Sequence, residues 1–289
     1  MPPRPFPIGT RALVLLSVAV AGVLAAWYLG LSPANLVPAP DARGLVVDVL
    51  GSAVSPALVY ESTDLPPDID PLLMRVAGAA IRTLVYAVAA MSLVVLFGLV
   101  LGFFSSTAWW ADEPVAKAGP IQTFMRSTVQ PGVYVFARCV IAVMRSTHEL
   151  LWAVLFMAAM GLTPLAAVVA LAIPHTGILA KIFGEMVDEA PRDSSKQLRD
   201  IGASPLQQYL FGLLPRARND LVAYGYYRFE CIVRGSAVLG FFGIETLGKY
   251  IKDAFDNHHY HEMWTYIYAL LVLVVLFDLW SGVIRRRLS

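Results

Sequence analysis

Arg82, Arg138, Arg145, Arg228 and Arg234 all stand in stretches that are otherwise apolar. An ionised arginine at the centre of a bilayer costs on the order of 3 kcal/mol on insertion scales, so it rarely faces lipid. Acids are scarce around them, and Glu149, Glu230 and Asp278 are the counter-charges at hand. Glu230 and Arg234 are four apart with the acid first, the better order for a pair on one helix. At the helical rise, Arg145 lies roughly 20 Å and Arg234 roughly 22 Å above the start of its own helix. Two cations at similar depth in a chain short of acids suit a path for an anion. The candidate path residues are Arg145, His148, Glu149, Arg228, Glu230 and Arg234. The competing reading ties each arginine to helix-end carbonyls or to a neighbouring glutamate. For Arg138 and Arg228 the two readings stand level.

Other groupings mimic chemistry without supporting it. Gly243-Ile-Glu-Thr-Leu-Gly248-Lys249 has the spacing of a phosphate-binding loop. Such a loop follows a strand and needs Ser or Thr next, to place a hydroxyl on Mg²⁺. Here an apolar helix precedes and Tyr250 follows, so a glycine-rich turn leading into a short interfacial helix is expected. His258, His259, His261 and Glu262 offer imidazoles of the kind Zn²⁺ and Cu²⁺ favour. Adjacent residues do not share one helix face. A loop at the membrane interface is expected instead, with Tyr260 and Trp264 in the aromatic belt, and no metal is assigned. Ser146, Thr147, His148 and Glu149 are consecutive and splay around an axis, which is not a Ser-His-acid triad. His175, beside Pro174, reads as a packing or pore-lining polar residue. No convergent catalytic set remains, so an enzyme is not expected.

The elements that must position these residues are membrane helices. The 289 residues are 57% hydrophobic and 15% charged, with a mean hydropathy of +0.64, against roughly 25% charged in soluble domains. A net charge of +1 gives no reason to expect nucleic acid. The runs Ala12 to Pro40, Thr83 to Ala111 and Leu150 to Ala180 carry no Asp, Glu, Lys or Arg. Each exceeds the roughly 20 residues that cross a bilayer as a helix. The expected fold is an all-α membrane protein with six helices, at about 11–31, 76–104, 132–160, 164–187, 219–241 and 263–285. Gly132 to Met144 reads as the first half of a broken helix ending near Gly161. Cys139 and Cys231 lie in apolar stretches, so no disulfide framework is expected. No repeat of 20–50 residues appears, which argues against a repeat-built secondary transporter.

Lys and Arg set the orientation. With the polar segment Lys196 to Pro215 in the cytoplasm, Arg4, Arg11, Lys117, Arg126, Lys181, Arg192, Lys196, Arg199, Arg216, Arg218, Arg285, Arg286 and Arg287 fall inside. Only Arg43, Arg75, Lys249 and Lys252 fall outside. Both termini are then cytoplasmic. The outer 32–74 segment is acidic instead, with Asp41, Asp48, Glu61, Asp64, Asp68 and Asp70, and its prolines argue against a core of its own. The N-terminal apolar run is longer than a signal-peptide core and lacks a small-x-small cleavage site, so it is expected to be retained.

The segment Lys196 to Pro215, KQLRDIGASPLQQYLFGLLP, is a polar, amphipathic island in this apolar chain. It sets a Gly202-Ala203-Ser204 turn before a Leu214-Pro215 stop. That layout resembles the cytoplasmic coupling loop of ABC-importer permeases, whose pattern is Glu-Ala-Ala, three residues, Gly, nine residues, Ile, one residue, Leu-Pro. Gly202, Leu214 and Pro215 fall on the pattern, whereas Lys196, Gln197 and Leu198 replace Glu-Ala-Ala and Gly212 replaces Ile.

A closer resemblance, to phosphonate-type permeases of ABC importers, covers roughly residues 75 to 289. It is carried by Leu171 to Gly184 ending in Lys-Ile-Phe-Gly before Glu185, and by Arg145 with Glu149-Leu150. Tyr227-Arg228-Phe229-Glu230 with Arg234, Leu239-Gly240, and Asp278 with Ser281 and Arg285-Arg286-Arg287 add to it. The chain departs at His148, where the family often has Pro, and has fewer glycines over Gly243 to Gly248. The resemblance implies a helix and acidic outer loop over 1–74 and a permease domain over 75–289. It implies a multi-pass subunit of the bacterial inner membrane that passes phosphonate, phosphite or hypophosphite. The implied partners are a second permease copy in a homodimer, two cytoplasmic ATP-binding subunits, an extracytoplasmic binding protein and membrane lipid. ATP and Mg²⁺ would sit on the partner ATPases, with no cofactor on this chain. Leu198, Ile201, Gly202, Ala203, Ser204, Leu206, Tyr209, Leu214 and Pro215 would form the coupling surface, Leu210 adding an apolar contact. The runners-up are an amino-acid-type importer permease and an ATPase-independent secondary transporter.

Overall fold

Charge-free runs without internal breakers become long helices, and the polar joints between them become caps and turns. The computed structural model of the chain describes residues 10–32, 40–62, 69–107 and 124–288, and every regular element among these is helical. Arg4, Asp64, Asp68 and Lys117 lie outside the described residues. The chain divides into two compact units, residues 1–54 and 55–289.

In the first unit, α1 (Thr10–Tyr28) exposes apolar side chains all round its axis, Leu15, Val18, Val23 and Trp27 among them, as a membrane-spanning helix does. α2 (Pro40–Gly51), continued by a 3₁₀ turn at Ser52–Val54, lies in a stretch expected to be irregular. Pro40 occupies the first helical turn, where a missing N–H costs nothing, and no breaker interrupts Leu45 to Leu50.

The second unit contains α3 (Leu72–Ser105), α4 (Gln130–Ser146), α5 (Glu149–Met160), α6 (Pro164–Glu189), α7 (Asp193–Asp200), α8 (Leu214–Val238), α9 (Leu247–Asp256) and α10 (Tyr260–Leu288). A π-helical lead-in, Met125–Val129, precedes α4. One α-helical turn, Pro205–Gln207, and a π-helical stretch, Gln208–Leu213, run into α8. Among the described residues, five helices are long and apolar enough to cross a membrane, covering 11–28, 72–105, 127–146, 164–189 and 260–287. A sixth is reached if Pro205–Phe242 and α9, bent by 43°, count as one span.

The helix expected over 132–160 is broken, as that reading had it, into α4 and α5, because Thr147 and His148 both take extended backbone and His148 caps α5, its Nδ1 accepting from the Leu150 N–H at 3.3 Å. Polar residues in series give the backbone local partners that compete with the helix. Pro215, expected to stop a helix, stands instead in the first turn of α8, so the sixth element starts at Leu214 rather than near 219.

The core is built on close approach of α3 and α6, the most extensive helix pairing in the molecule's described residues. Small residues recur along α3 at Ala79, Thr83, Ala87, Ala90, Gly98, Gly102 and Ser105, all buried. The glycines and serine at its C-terminal end face Leu179, Ala180, Phe183 and Gly184 of α6. A Cβ on Gly98 would stand 2.8 Å from Leu179 Cδ2, and one on Gly184 would stand 2.7 Å from Ser105 Oγ. This is the small-xxx-small packing that replaces hydrophobic driving force inside a bilayer.

Candidate functional site

Two regions hold the residues singled out in the sequence. The first is the polar segment between α6 and α8. α7 ends at Asp200 in a Schellman motif, with Gly202 N–H donating to Arg199 O at 2.8 Å and Ala203 N–H to Leu198 O at 3.0 Å. Gly202 takes φ +88°, which a residue with a Cβ rarely adopts. Ser204 then opens the next turn with a capping box: its N–H donates to Gln207 Oε1 at 2.8 Å and its Oγ accepts from Gln207 N–H at 3.4 Å. The segment is clamped back on α8. Gln208 Nε2 donates to Ala203 O at 2.9 Å, Arg216 donates to Ser194 Oγ at 2.9 Å, and Gly212 gives Ser195 room to lie against it.

The clamp sorts the apolar residues of this segment. Ile201 (81% exposed), Leu206 and Leu210 are exposed, and Phe211 beside them is exposed as well. Pro215 and Gly202 are also at the surface, while Leu198 and Ala203 are half-buried. Tyr209 departs from the expected surface role. It is buried edge-to-face on Phe103 at 4.8 Å, and Leu214 packs on the same core. The π-helical stretch rotates the register there, so periodicity read as an ideal helix misplaces Tyr209.

The second region runs along α8 and the helices beside it. A cavity of about 610 Å³ is lined by Arg216, Asp220 and Tyr224, one turn apart on α8, with Tyr227, Glu189 and Arg285. The next turn of α8 carries Arg228, which is buried and has no hydrogen-bond partner at Nε. His175 of α6 is 4% exposed, and neither ring nitrogen has a hydrogen-bond partner. Glu149 Oε2 lies 3.6 Å from His175 Nε2, longer than a hydrogen bond. Glycines make the space: a Cβ on Gly235 would stand 3.1 Å from Glu149 Oε1. One on Gly177 would stand 3.2 Å from the Arg145 backbone nitrogen. Arg228 and His148 are within electrostatic reach of His175, and Arg145 and Arg228 of Tyr224.

The structure thus leaves Arg145 exposed on α4 and brings His148, Glu149 and Arg228 near His175, which the sequence reading gave as a packing or pore-lining residue. Its signal was a lone imidazole in a charge-free run beside Pro174. Glu230 and Arg234 pair with each other at 3.2 Å, and that arginine is 54% exposed. The remaining arginines find partners other than the acids expected. Arg82 pairs with Glu245, and Arg138 donates to Ser105 O at 3.1 Å with Glu185 at 3.9 Å. Those acids come from a helix end and an inter-helix turn that folding carries alongside.

The groupings set aside above have packing roles. His261 Nδ1 donates to Ser55 O at 2.7 Å, and His258 Nδ1 meets the Tyr260 hydroxyl at 2.7 Å. Gly243 takes φ +97° at the end of a 3₁₀ turn, and Gly248 lies directly on the Ala237 carbonyl. Leu247 N–H donates to Thr83 Oγ1 at 3.0 Å, which docks the glycine turn on α3.

A family model described as "Binding-protein-dependent transport system inner membrane component" matches residues 72–289. The chain belongs to that family. It is 30% identical over 271 residues to the phosphite transport system permease protein PtxC of Stutzerimonas stutzeri, covering 92% of this chain and 85% of that one. It is 26% identical to the phosphate-import permease protein PhnE of Mycolicibacterium smegmatis, covering 93% of this chain and 44% of that protein. The inward-facing MetNI methionine ABC transporter shares the fold, with TM-score 0.61 and 19% identity over 76% of this chain and 99% of that one. An amino acid ABC transporter solved with histidines has TM-score 0.58 at the same coverage and identity. As a family member the chain is an inner-membrane transport subunit, and its helices have the ABC-permease arrangement.

Proposed function

We propose that this chain is the permease of an ATP-driven importer for a phosphorus oxyanion: phosphonate, phosphite or hypophosphite. The observation that carries the reading is buried, incompletely partnered Arg228, one helical turn beyond a cavity lined by Arg216, Tyr224 and Arg285. Similarity to a phosphite permease along 92% of the chain supports the choice of anion. Residues 1–74 add a first span and an acidic outer segment to a permease domain at 75–289. Both termini are cytoplasmic, as the Lys and Arg distribution favours.

The chain pairs with a second copy about a two-fold axis, binds two cytoplasmic ATPases, and receives substrate from an extracytoplasmic binding protein. The exposed Ile201, Leu206 and Leu210, with Leu198 at their edge, enter a cleft of the ATPase, a use that an exposed apolar patch suits. Gly202, Ala203, Ser204 and Pro215 shape the segment, while buried Tyr209 and Leu214 anchor it to the core. ATP-driven closure pushes on this segment and rocks the helices between outward and inward access. Arg145, His148, Glu149, Arg228, Glu230 and Arg234 line the path.

Proteoliposomes holding the chain with its ATPases and binding protein test the proposal. ATP-dependent uptake of labelled phosphite or methylphosphonate is expected. The methionine and amino-acid transporters among its structural relatives favour a second reading, and uptake of an amino acid instead of an oxyanion would establish that alternative.

A further inference from the structure

We infer that Glu149, His175 and Arg228 form a subsite that reads the proton of a monoanionic phosphorus oxyanion, selecting ligands that carry a P–OH group. The inference rests on the oxyanion reading above and narrows it. His175 and Arg228 are each at least nine-tenths buried, and both ring nitrogens of the one and Nε of the other lack hydrogen-bond partners. Buried polar atoms are ordinarily paired, so unpaired ones gathered at one place point to a missing ligand. Glu149 lies 3.6 Å from His175 and its side chain is 24% exposed, so the cluster is reached from the Glu149 side.

The donor and acceptor inventory decides the ligand. Arg228 only donates, and a neutral imidazole donates from one nitrogen. Both suit the unprotonated oxygens of an oxyanion. An ionised Glu149 only accepts, so it needs a hydrogen on the ligand and repels a bare oxygen. Phosphite and an alkylphosphonate each present a P–OH as monoanions. Hypophosphite does not, and neither does sulfate. The subsite therefore favours the first two.

Two measurements keep the inference apart from the reading beneath it. Uptake of labelled methylphosphonate and phosphite by the complete transporter with its binding protein tests the reading alone. The subsite is tested on the purified permease–ATPase complex without binding protein. Its thermal midpoint is followed against rising methylphosphonate, and separately against the monomethyl ester, which has the same charge but no P–OH. A shift with methylphosphonate is expected, at about tenfold or more lower concentration than with the ester. Glu149→Gln, whose amide can donate, should erase most of that preference, and His175→Leu should weaken binding of both ligands. Equal shifts by the two ligands, or none from either while uptake is intact, overturns the inference whether or not the variants assemble. Full preference in Glu149→Gln overturns it as well.

Discussion

Glu230 and Arg234 illustrate how exposure sets the worth of an intramembrane pair. A pair buried on both sides would lose several kcal/mol when one partner is removed, since the other charge is stranded. Here the Arg234 side chain is 54% exposed and that of Glu230 16%. Half-exposed pairs contribute about 1 kcal/mol or less. Arg234→Gln should therefore lower assembly only modestly, measured as the yield of permease–ATPase complex, and Glu230→Gln with Arg234→Gln should restore it. Transport by the restored double variant decides the role of Arg234. Uptake well below the native rate is expected for a path-lining arginine, whereas uptake at the native rate assigns it to structure.

The segment proposed for coupling is an element whose shape depends on one backbone conformation. Gly202 at φ +88° ends α7, and a Cβ there would meet no atom within 4 Å. Crowding within this chain is thus not what keeps glycine at the position. Placing a side chain in the left-handed region costs roughly 1–2 kcal/mol, too little to unfold the membrane domain. Gly202→Asp should still insert in the membrane, yet lose ATPase from the purified complex and lose uptake, because a charge then stands beside Ile201 and Ala203 on the docking face. Normal ATPase content and transport in that variant would remove this segment from coupling. Ser204→Ala is a milder probe. Losing the capping box should cost about 1 kcal/mol and leave the complex intact, seen as a lower thermal midpoint with ATPase still bound.

At the scale of the whole molecule, the proposed orientation rests on a bias in Lys and Arg. Cys139 is exposed and Cys231 half-buried, and both are free thiols. Replacing both with Ser should give a functional background for labelling. Ser204→Cys in that background should resist a membrane-impermeant thiol reagent in intact cells and react in inverted vesicles. Labelling from outside would invert the topology and the coupling assignment together. The tight seat of α3 on α6 makes a separate expectation of the same scale. Gly98→Leu forces the two helices apart at Leu179, and complex yield should fall severalfold because bilayer packing offers no hydrophobic compensation.

The sequence by itself determined the properties that depend on neighbours along the chain. Apolar runs located most of the spans, because insertion responds to the summed hydropathy of about 20 residues, although the run Leu150 to Ala180 breaks between α5 and α6. The Gly202 to Pro215 spacing marked the polar segment proposed for coupling, because a left-handed turn is a local device, but the place of Pro215 in the first turn of α8 was not read from it. Tertiary structure decided what depends on rotation and register. Each residue turns about 100° around a helix axis, so the partner of Arg82 or Arg138 cannot be read from span boundaries. Glu245 and Glu185 reach them only after folding. The same holds for His175, which composition left as a lone imidazole. Gly235 admits the Glu149 carboxylate, Gly177 seats α4, and a helix break at Thr147 turns α5 so that Glu149 meets His175. A π-helical stretch rotated Tyr209 from the surface into the core. Spans and turns are set by local free energies, but a site is set by how helices rotate against one another.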